Sequence, residues 1–337
     1  MSYAIRSVSR GQLNERVYRI GEDGDVEIVR GEEVLDVVDH STIGSDVAYI
    51  RKNLKVKAEE GSLDVETSKI KKRYQLDKIT ADSQSKTDIT VEYYDDRTQR
   101  IQKRSFSIKS FVGSRPTLFN ASQSTNFVYK IVGDLTDKDV KEINSMFVTK
   151  TKADGTVKKE ADISGRIKAI YDKGCELEFE KLYNPTFDGN LRVVDSSFPE
   201  IVADLLLDSY KSGITDLTEL TKRLSERNPM GFKGPNKFYK PKICKFLMDA
   251  FKGMTAAKVW NDQDEVQGGY IVVKKDCTVV CYLFDDRNKF EEYLLSRSFL
   301  ERPSAKRHKY ATVFKEDGEY FINLNLDVRM SQSSKNQ

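Results

Sequence analysis

Histidine is nearly absent from this chain: two occur in 337 residues, His40 and His308. A Ser-His-Asp or Cys-His hydrolase would have to use one of them. Neither lies near a Gly-x-Ser-x-Gly turn, so both arrangements are set aside. Cysteine is scarce too, with four, Cys175, Cys244, Cys277 and Cys281, and no two form a C-x-x-C pair. With so few histidines, this excludes the usual zinc spacings. Cys277 and Cys281, in DCTVVCYLF, fall on one face of an expected strand and read as buried free thiols, which suits a reducing cytoplasm. No phosphate loop of the form G-x-x-x-x-G-K-[ST] occurs. No apolar run approaches the ~20 residues of a membrane span, so no membrane partner is expected. The opening MSYAIRSVSRGQ lacks the apolar core and cleavage site of a secretory signal.

Acidic residues are missing locally, although the net charge is only +3. Between Arg97 and Gly133 there is no Asp or Glu, where the chain average would place about six. That window carries Arg97, Arg100, Lys103, Arg104, Lys109, Arg115 and Lys130. A second acid-free window, Met230 to Leu247, holds Lys233, Lys237, Lys240, Lys242 and Lys245. A third, Arg302 to Lys315, holds Arg302, Lys306, Arg307, Lys309 and Lys315. One such window is an ordinary solvated face. Three in a near-neutral chain point to an anionic partner, most commonly a phosphate backbone.

What is present is enough to fold. Sixteen Tyr and seventeen Phe argue for a packed core despite a charged fraction of 32%. VYRIGEDGDVEIVRGEEVLDVV reads as hairpin strands with turns at EDGD and RGEE, and residues 43 to 70 as mixed and helical. Ile89, Val91 and Tyr93 alternate with Thr90, Glu92 and Tyr94, which predicts a strand. A polar turn near DDRTQR returns the chain through SFSIKS, giving an antiparallel hairpin. Residues 198 to 212 form a helix with Pro199 in its first turn. TDLTELTKRLSER forms a second and stops before Asn228-Pro229, and PKICKFLMDAFKGM a third, ending at Gly253. GGYIVVKKDCTVVCYLF is a hairpin, Asn288 to Glu291 opens a helix, ERPSAKRHKY is a loop, and ATVFKEDGEYFINLNLDV is a last hairpin. SQSSKNQ, residues 331–337, is expected to be a disordered tail. The chain divides, on this reading, into 1–195 and 196–330. The many Tyr residues and Trp260 are assigned to the core.

One arrangement bears on chemistry. In SFSIKS, Phe106 and Ile108 share one strand face, and Ser107 and Lys109 the other. Taken alone this is an ordinary half-buried strand with a solvated lysine. Antiparallel pairing, however, brings Asp88, at the start of one strand, beside Ser107 and Lys109 near the end of the next. A carboxylate there suits Mg²⁺, which takes one or two carboxylates and keeps several waters. A neighbouring lysine can orient the attacking water and stabilise charge on phosphorus. This is the logic of the PD-(D/E)xK core, with Asp88, Ser107 and Lys109 as its motif residues.

The longer segment TDITVEYYDDRTQRIQKRSFSIKSFVGSRPTLFNASQSTNFVYKI resembles the catalytic segment of type II restriction endonucleases of the HpaII family. SFSIKSFVGSRPTLFNAS and the TNF after it carry the match. GMTAAKVWNDQDEVQGGYIVVKKDCTVVCYLFDDRNKFEEYLL, RPSAKRHKY and EYFINLNLDVRM resemble its C-terminal region, in the same order. The resemblance implies an α/β (mixed α+β) fold with a PD-(D/E)xK restriction-endonuclease-like core, a mixed central sheet flanked by helices. The first division would then be the nuclease core, and the second would complete the fold and recognise DNA. It also implies Mg²⁺-dependent, site-specific cleavage of double-stranded DNA, with CCGG as the target of the name member. A homodimer, a cognate methyltransferase acting on the same site and a bacterial or archaeal cytoplasm follow from the same resemblance. The alternative is a catalytically decayed, sequence-specific DNA-binding protein of the same fold.

Two departures shape the site. Where the family opens with Gly-Glu-Trp-Ser-Glu-Leu-Tyr, only Gly11 and Glu15 agree here. And Ser107 stands in place of the second acid, so another metal donor must join Asp88. Nucleases with Ser-x-Lys that draw a Glu from the following helix would place it at Gln123. Glu15 and Glu92 are the other candidates. For DNA, Arg302, Lys306, Arg307 and His308 are candidate base readers or phosphate contacts. Arg115, Asn120, Ser122 and Asn126 would line a groove. Lys237 and Lys242 would touch the backbone, because lysine is a point charge without a planar fork.

Overall fold

The computed structural model describes residues 3–6, 17–21, 23–59, 65–76, 87–95, 99–112, 115–151, 155, 157–234, 238–276, 278–284 and 287–331. Contacts divide the chain into two compact units, residues 1–116 with 264–287, and residues 117–263 with 288–337. The first unit gathers residues 264–287 because the GGYIVV strand, distant in sequence, pairs with the strand carrying Ser107 and Lys109.

The first unit is built on an eight-stranded sheet. Its order is Val279–Leu283, Gly269–Val273, Arg100–Ser110, Ile89–Asp95, Tyr3–Arg6, Val17–Ile20, Val26–Arg30, Glu33–Val38. Neighbours are antiparallel except Gly269–Val273, which runs parallel to Arg100–Ser110. The sheet is therefore mixed, as expected. The helices His40–Glu59 and Ser68–Arg73 belong to the same unit. The first is capped by Asp39, whose carboxylate accepts from the Thr42 N–H at 2.9 Å and from the Ser41 and Thr42 hydroxyls. Those bonds hold its pKa far below the usual carboxylate range.

Gly268 and Gly269 explain how the parallel strand enters. A side chain at Gly268 would meet the Phe106 ring at 2.8 Å. Gly269 has φ +145, and a Cβ there would lie 2.0 Å from the Tyr282 carbonyl oxygen. Only glycine permits both the backbone conformation and the close approach.

The second unit contains a four-stranded antiparallel sheet, Glu176–Leu182, Asn126–Val132, Glu319–Asn325, Val313–Glu316. A three-stranded sheet, Ser298–Leu300, Val328–Met330, Thr117–Phe119, and the hairpin Phe147–Thr151 with Val157–Ala161 complete its β structure. Its helices are Asp137–Asn144, Ile163–Asp172, Pro185–Val194, Phe198–Ser212, Leu217–Arg227, Tyr239–Lys252, Arg287–Arg297 and the short Ala305–His308. Most begin on a side-chain cap: Thr136, Asp162, Asn184, Asp216 and Ser304 each accept from a backbone N–H of the first turn. Phe119, Phe127, Phe187, Phe198 and Phe246 stack or tilt against one another at 5.2 to 6.1 Å between ring centres and form an aromatic core. Trp260 is buried, as expected.

One expectation about cysteine needs adjusting. Cys281 is exposed rather than buried, because its strand is the outer edge of the eight-stranded sheet. Cys277 and residues 332–337 lie outside the described residues. Among the described residues, no helix is long and apolar enough to cross a membrane.

Candidate functional site

Ile89 registers opposite Phe106 and Thr90 opposite Ser105, so Asp88 falls opposite Ser107. Its backbone N–H donates to the Phe106 carbonyl at 2.9 Å. Its carboxylate Oδ2 accepts from the Ile108 N–H at 2.6 Å and from the Ser107 hydroxyl at 3.3 Å. The residue itself is exposed. One oxygen is thus fixed by two donors, and the other has no hydrogen bond or ion pair among the described residues. Strand alternation puts Lys109 on the same face as Ser107, two residues on.

The burial of this strand departs from the sequence reading. Ser107 is 2% exposed and Ile108 is 37% exposed. The parallel strand explains it. Tyr270 registers with Ser107 and Val272 with Lys109, on the same face, and both are buried. The face expected to be solvated is therefore backed by apolar groups, and the half-buried Lys109 stands at its end.

Sequence reasoning missed what anchors this corner. The Thr87 and Ser105 hydroxyls both donate to the Glu265 carbonyl at 2.6 Å. The Ser105 hydroxyl also accepts from the Gln267 N–H at 3.0 Å, and its carbonyl from the Gly268 N–H at 2.8 Å. Segment 264–268 is stapled to the strands on either side of Asp88. The Gly268-Gly269 doublet was the available signal, since paired glycines before an apolar run mark close backbone approach.

The other metal candidates were Glu92, Gln123 and Glu15. Glu92 is a strand residue whose backbone registers with Lys103. Gln123 is half-buried in a short 3₁₀ turn of the second unit. Glu15 and Gly11 lie outside the described residues. Among the described residues, no group of three His, Cys, Asp or Glu side chains is gathered as a metal cage. The residues present still fit Mg²⁺, which needs one or two carboxylates and fills its remaining positions with water and phosphate oxygens. The second carboxylate oxygen of Asp88, an exposed residue, has the chemistry of such a donor.

The DNA-contacting candidates divide sharply. Arg115 and Asn120 are exposed. Ser122 is half-buried, its carbonyl taken by the Thr125 hydroxyl at 2.9 Å and the Asn325 amide at 2.7 Å. Asn126 is fully buried. It holds the chain together instead of lining a groove: Nδ2 donates to the carbonyls of His308 at 3.0 Å and Lys309 at 3.2 Å, and Oδ1 accepts from Asn325 at 2.6 Å. Lys242 also departs from expectation. Its ammonium is paired with Asp195 and lies 5.4 Å from the Phe232 ring centre. Lys237 lies outside the described residues.

Arg302 turns inward. Its guanidinium lies 3.6 Å over the Tyr210 ring, and Nη2 donates to the Ser209 carbonyl at 2.8 Å. It is unsuited to reading bases. Lys306 and Arg307 are exposed on the short helix Ala305–His308. Neither side chain has an ion pair or hydrogen bond among the described residues. His308 is half-buried, and burial with the Arg307 charge beside it lowers its pKa, favouring the neutral imidazole.

Comparison with known proteins bears on this arrangement. The family model described as HpaII restriction endonuclease matches residues 1–330. The chain is 35% identical over 253 residues to the type II restriction enzyme HpaII of Haemophilus parainfluenzae. The match covers 74% of this chain and 66% of that enzyme, just under two thirds of its length. No solved structure matches.

Proposed function

The chain belongs to the HpaII restriction endonuclease family, and from that we propose that it is a type II restriction endonuclease. It cleaves double-stranded DNA at a specific sequence, with Mg²⁺ as cofactor and CCGG as the first target to test. The observation that carries this reading is the Asp88 carboxylate, fixed on one oxygen by Ile108 and Ser107, with Lys109 on the same face.

In this reading each residue has one task. Asp88 offers its second carboxylate oxygen to the cation. When bound, the cation supplies Lewis acidity at the phosphate and makes a water more acidic. Ser107 and the Ile108 N–H hold the Asp88 carboxylate in place. Lys109 positions the attacking water and offers positive charge where negative charge grows on the phosphate oxygens. The further oxygen donor is Glu92, Glu15 or Gln123. The protein works as a homodimer in a prokaryotic cytoplasm, alongside a methyltransferase that protects the same site.

The test is plasmid DNA with Mg²⁺. Discrete fragments are expected from the parent protein. Asp88→Ala and Lys109→Ala should each cut at least about 100-fold more slowly, the scale of losing an aimed electrostatic group. Their DNA binding, measured with Ca²⁺, should largely survive. A variant that cuts at the parent rate would remove that residue from the site. Ser107 favours a second reading, a decayed DNA-binding protein, because a buried hydroxyl occupies the place of the motif's second acid. Retarded but uncut DNA from the parent would select it.

A further inference from the structure

The phrase TNF singled out in the sequence contributes a buried asparagine, Asn126, that no step of the cleavage chemistry uses. Its surroundings assign it work. The loop from Arg302 to Ala311 is acid-free and carries Arg302, Lys306, Arg307 and Lys309. Its backbone is tied inward at several points. Asn126 Nδ2 reaches the carbonyls of both His308 and Lys309, at 3.0 and 3.2 Å. Asn323 Nδ2 approaches the same Lys309 carbonyl at 3.4 Å. The Ala311 N–H donates to the Asn323 carbonyl at 2.7 Å, and the Ala311 carbonyl accepts from the buried Arg166 at 2.6 Å. The Tyr310 hydroxyl donates back across the loop to the Pro303 carbonyl at 2.7 Å.

These bonds hold a backbone that would not choose this shape. Lys309 (φ 52) and Ala311 (φ 59) both sit in the left-handed region, which non-glycine residues avoid. Such conformations persist only where surrounding contacts over-determine them. Asn126 is itself fixed by Asn325, which is fully buried and donates to Asn126 Oδ1 at 2.6 Å. With Arg302 stacked on Tyr210, the basic side chains left outward on the short helix are Lys306 and Arg307.

We propose that Asn126 is a positioning residue for sequence recognition: through the His308 and Lys309 carbonyls it fixes the loop that presents Arg307 to base edges and Lys306 to phosphate. This rests on the proposed DNA-cleaving function and names the residues behind its specificity. A guanidinium reads guanine through two parallel hydrogen bonds, which tolerate little misplacement, whereas phosphate contacts tolerate more. A loosened loop therefore loses discrimination before it loses general affinity.

The experiment compares binding, in Ca²⁺, to a CCGG duplex and to the same duplex with its site scrambled. Asn126→Ala and Arg307→Ala should each weaken the CCGG complex about tenfold more than the scrambled one, the scale of one base contact. The double variant should discriminate no worse than either single variant, since both act on one contact. A purely structural role for Asn126 would instead give equal losses on both duplexes, additive with Arg307→Ala, and would overturn the inference. If Asn126→Ala does not fold, Asn126→Ser, which keeps one donor, carries the same comparison with a smaller expected loss. A parent protein that prefers neither CCGG nor any member of a random duplex pool overturns the proposed function itself. A parent that discriminates, with an Asn126 variant that discriminates equally well, overturns only the role of Asn126.

Discussion

Asp327 is a residue at which attraction and burial compete, and burial wins. It is 0% exposed, with Arg329 Nε 3.3 Å from Oδ1 and Nη2 3.5 Å from Oδ2. The guanidinium is shared with Glu301, 2.9 Å from Nε, whose own charge opposes ionisation of Asp327. Loss of hydration outweighs the pairing and pushes the Asp327 pKa up to about 6, from an ordinary 3.8. A folded-state pKa above the unfolded one means the native state holds the proton more tightly. The group therefore favours folding below about pH 4, and this contribution is lost as pH rises through about 6. Asp327→Asn removes that loss. Melting temperatures of parent and variant between pH 4 and 7 should diverge in the variant's favour as pH rises, and parallel curves would show that Asp327 ionises without penalty. Burial also sets apart two of the candidate DNA-contacting residues. Asn126 and Arg302 were read as outward groups because polar residues usually are, and each is instead held by buried partners that sequence does not show.

At the scale of elements, the helix Leu217–Arg227 can be tested at its cap. Asp216 accepts from the Glu219 N–H at 3.0 Å, and Asn228 closes the other end in the left-handed conformation. Asp216→Ala should cost about 1 kcal/mol in urea unfolding with an unchanged slope, and Asp216→Asn much less. Loss of the cap without loss of stability would mean that packing of Leu217, Leu220 and Leu224 alone sets the helix. This helix was legible in sequence, as was Phe198–Ser212, which Pro199 opens. The Asp88 hairpin was legible through alternation and its polar turn. Residues 126 to 195 received no assignment from periodicity. The strand Asn126–Val132 has buried residues on both faces and so shows no two-residue alternation. The hairpin Phe147–Thr151 with Val157–Ala161 is largely exposed and has no apolar face to announce it. The parallel partner of the Lys109 strand was hidden for another reason. Its pairing spans more than 150 residues of sequence, and the GGYIVV stretch carries no mark of which strand it will join.

Across the whole molecule, the charge written in the sequence differs from the charge available to a ligand. The second acid-free window looked like a phosphate-binding surface, but acids from elsewhere in the chain meet it. Lys240 lies 3.4 Å from Glu292, Lys245 lies 2.7 Å from Asp249, and Lys242 is paired with Asp195. In the third window Lys315 is 3.4 Å from Asp137, while Lys306 and Arg307 stay exposed. A cation already paired releases few counterions when DNA arrives, so it adds little to the salt dependence of binding. Affinity for any duplex should fall steeply with salt. Lys306→Ala should reduce the logarithmic slope by about one, the value for one phosphate contact. Lys242→Ala should leave the slope near the parent's and lower thermal stability instead, because it strands Asp195. The measurement is duplex affinity at several salt concentrations between about 50 and 200 mM for parent and both variants. A slope that drops with Lys242→Ala and not with Lys306→Ala would return the phosphate surface to the Met230–Leu247 window, with the Asp195 pair opening when DNA binds.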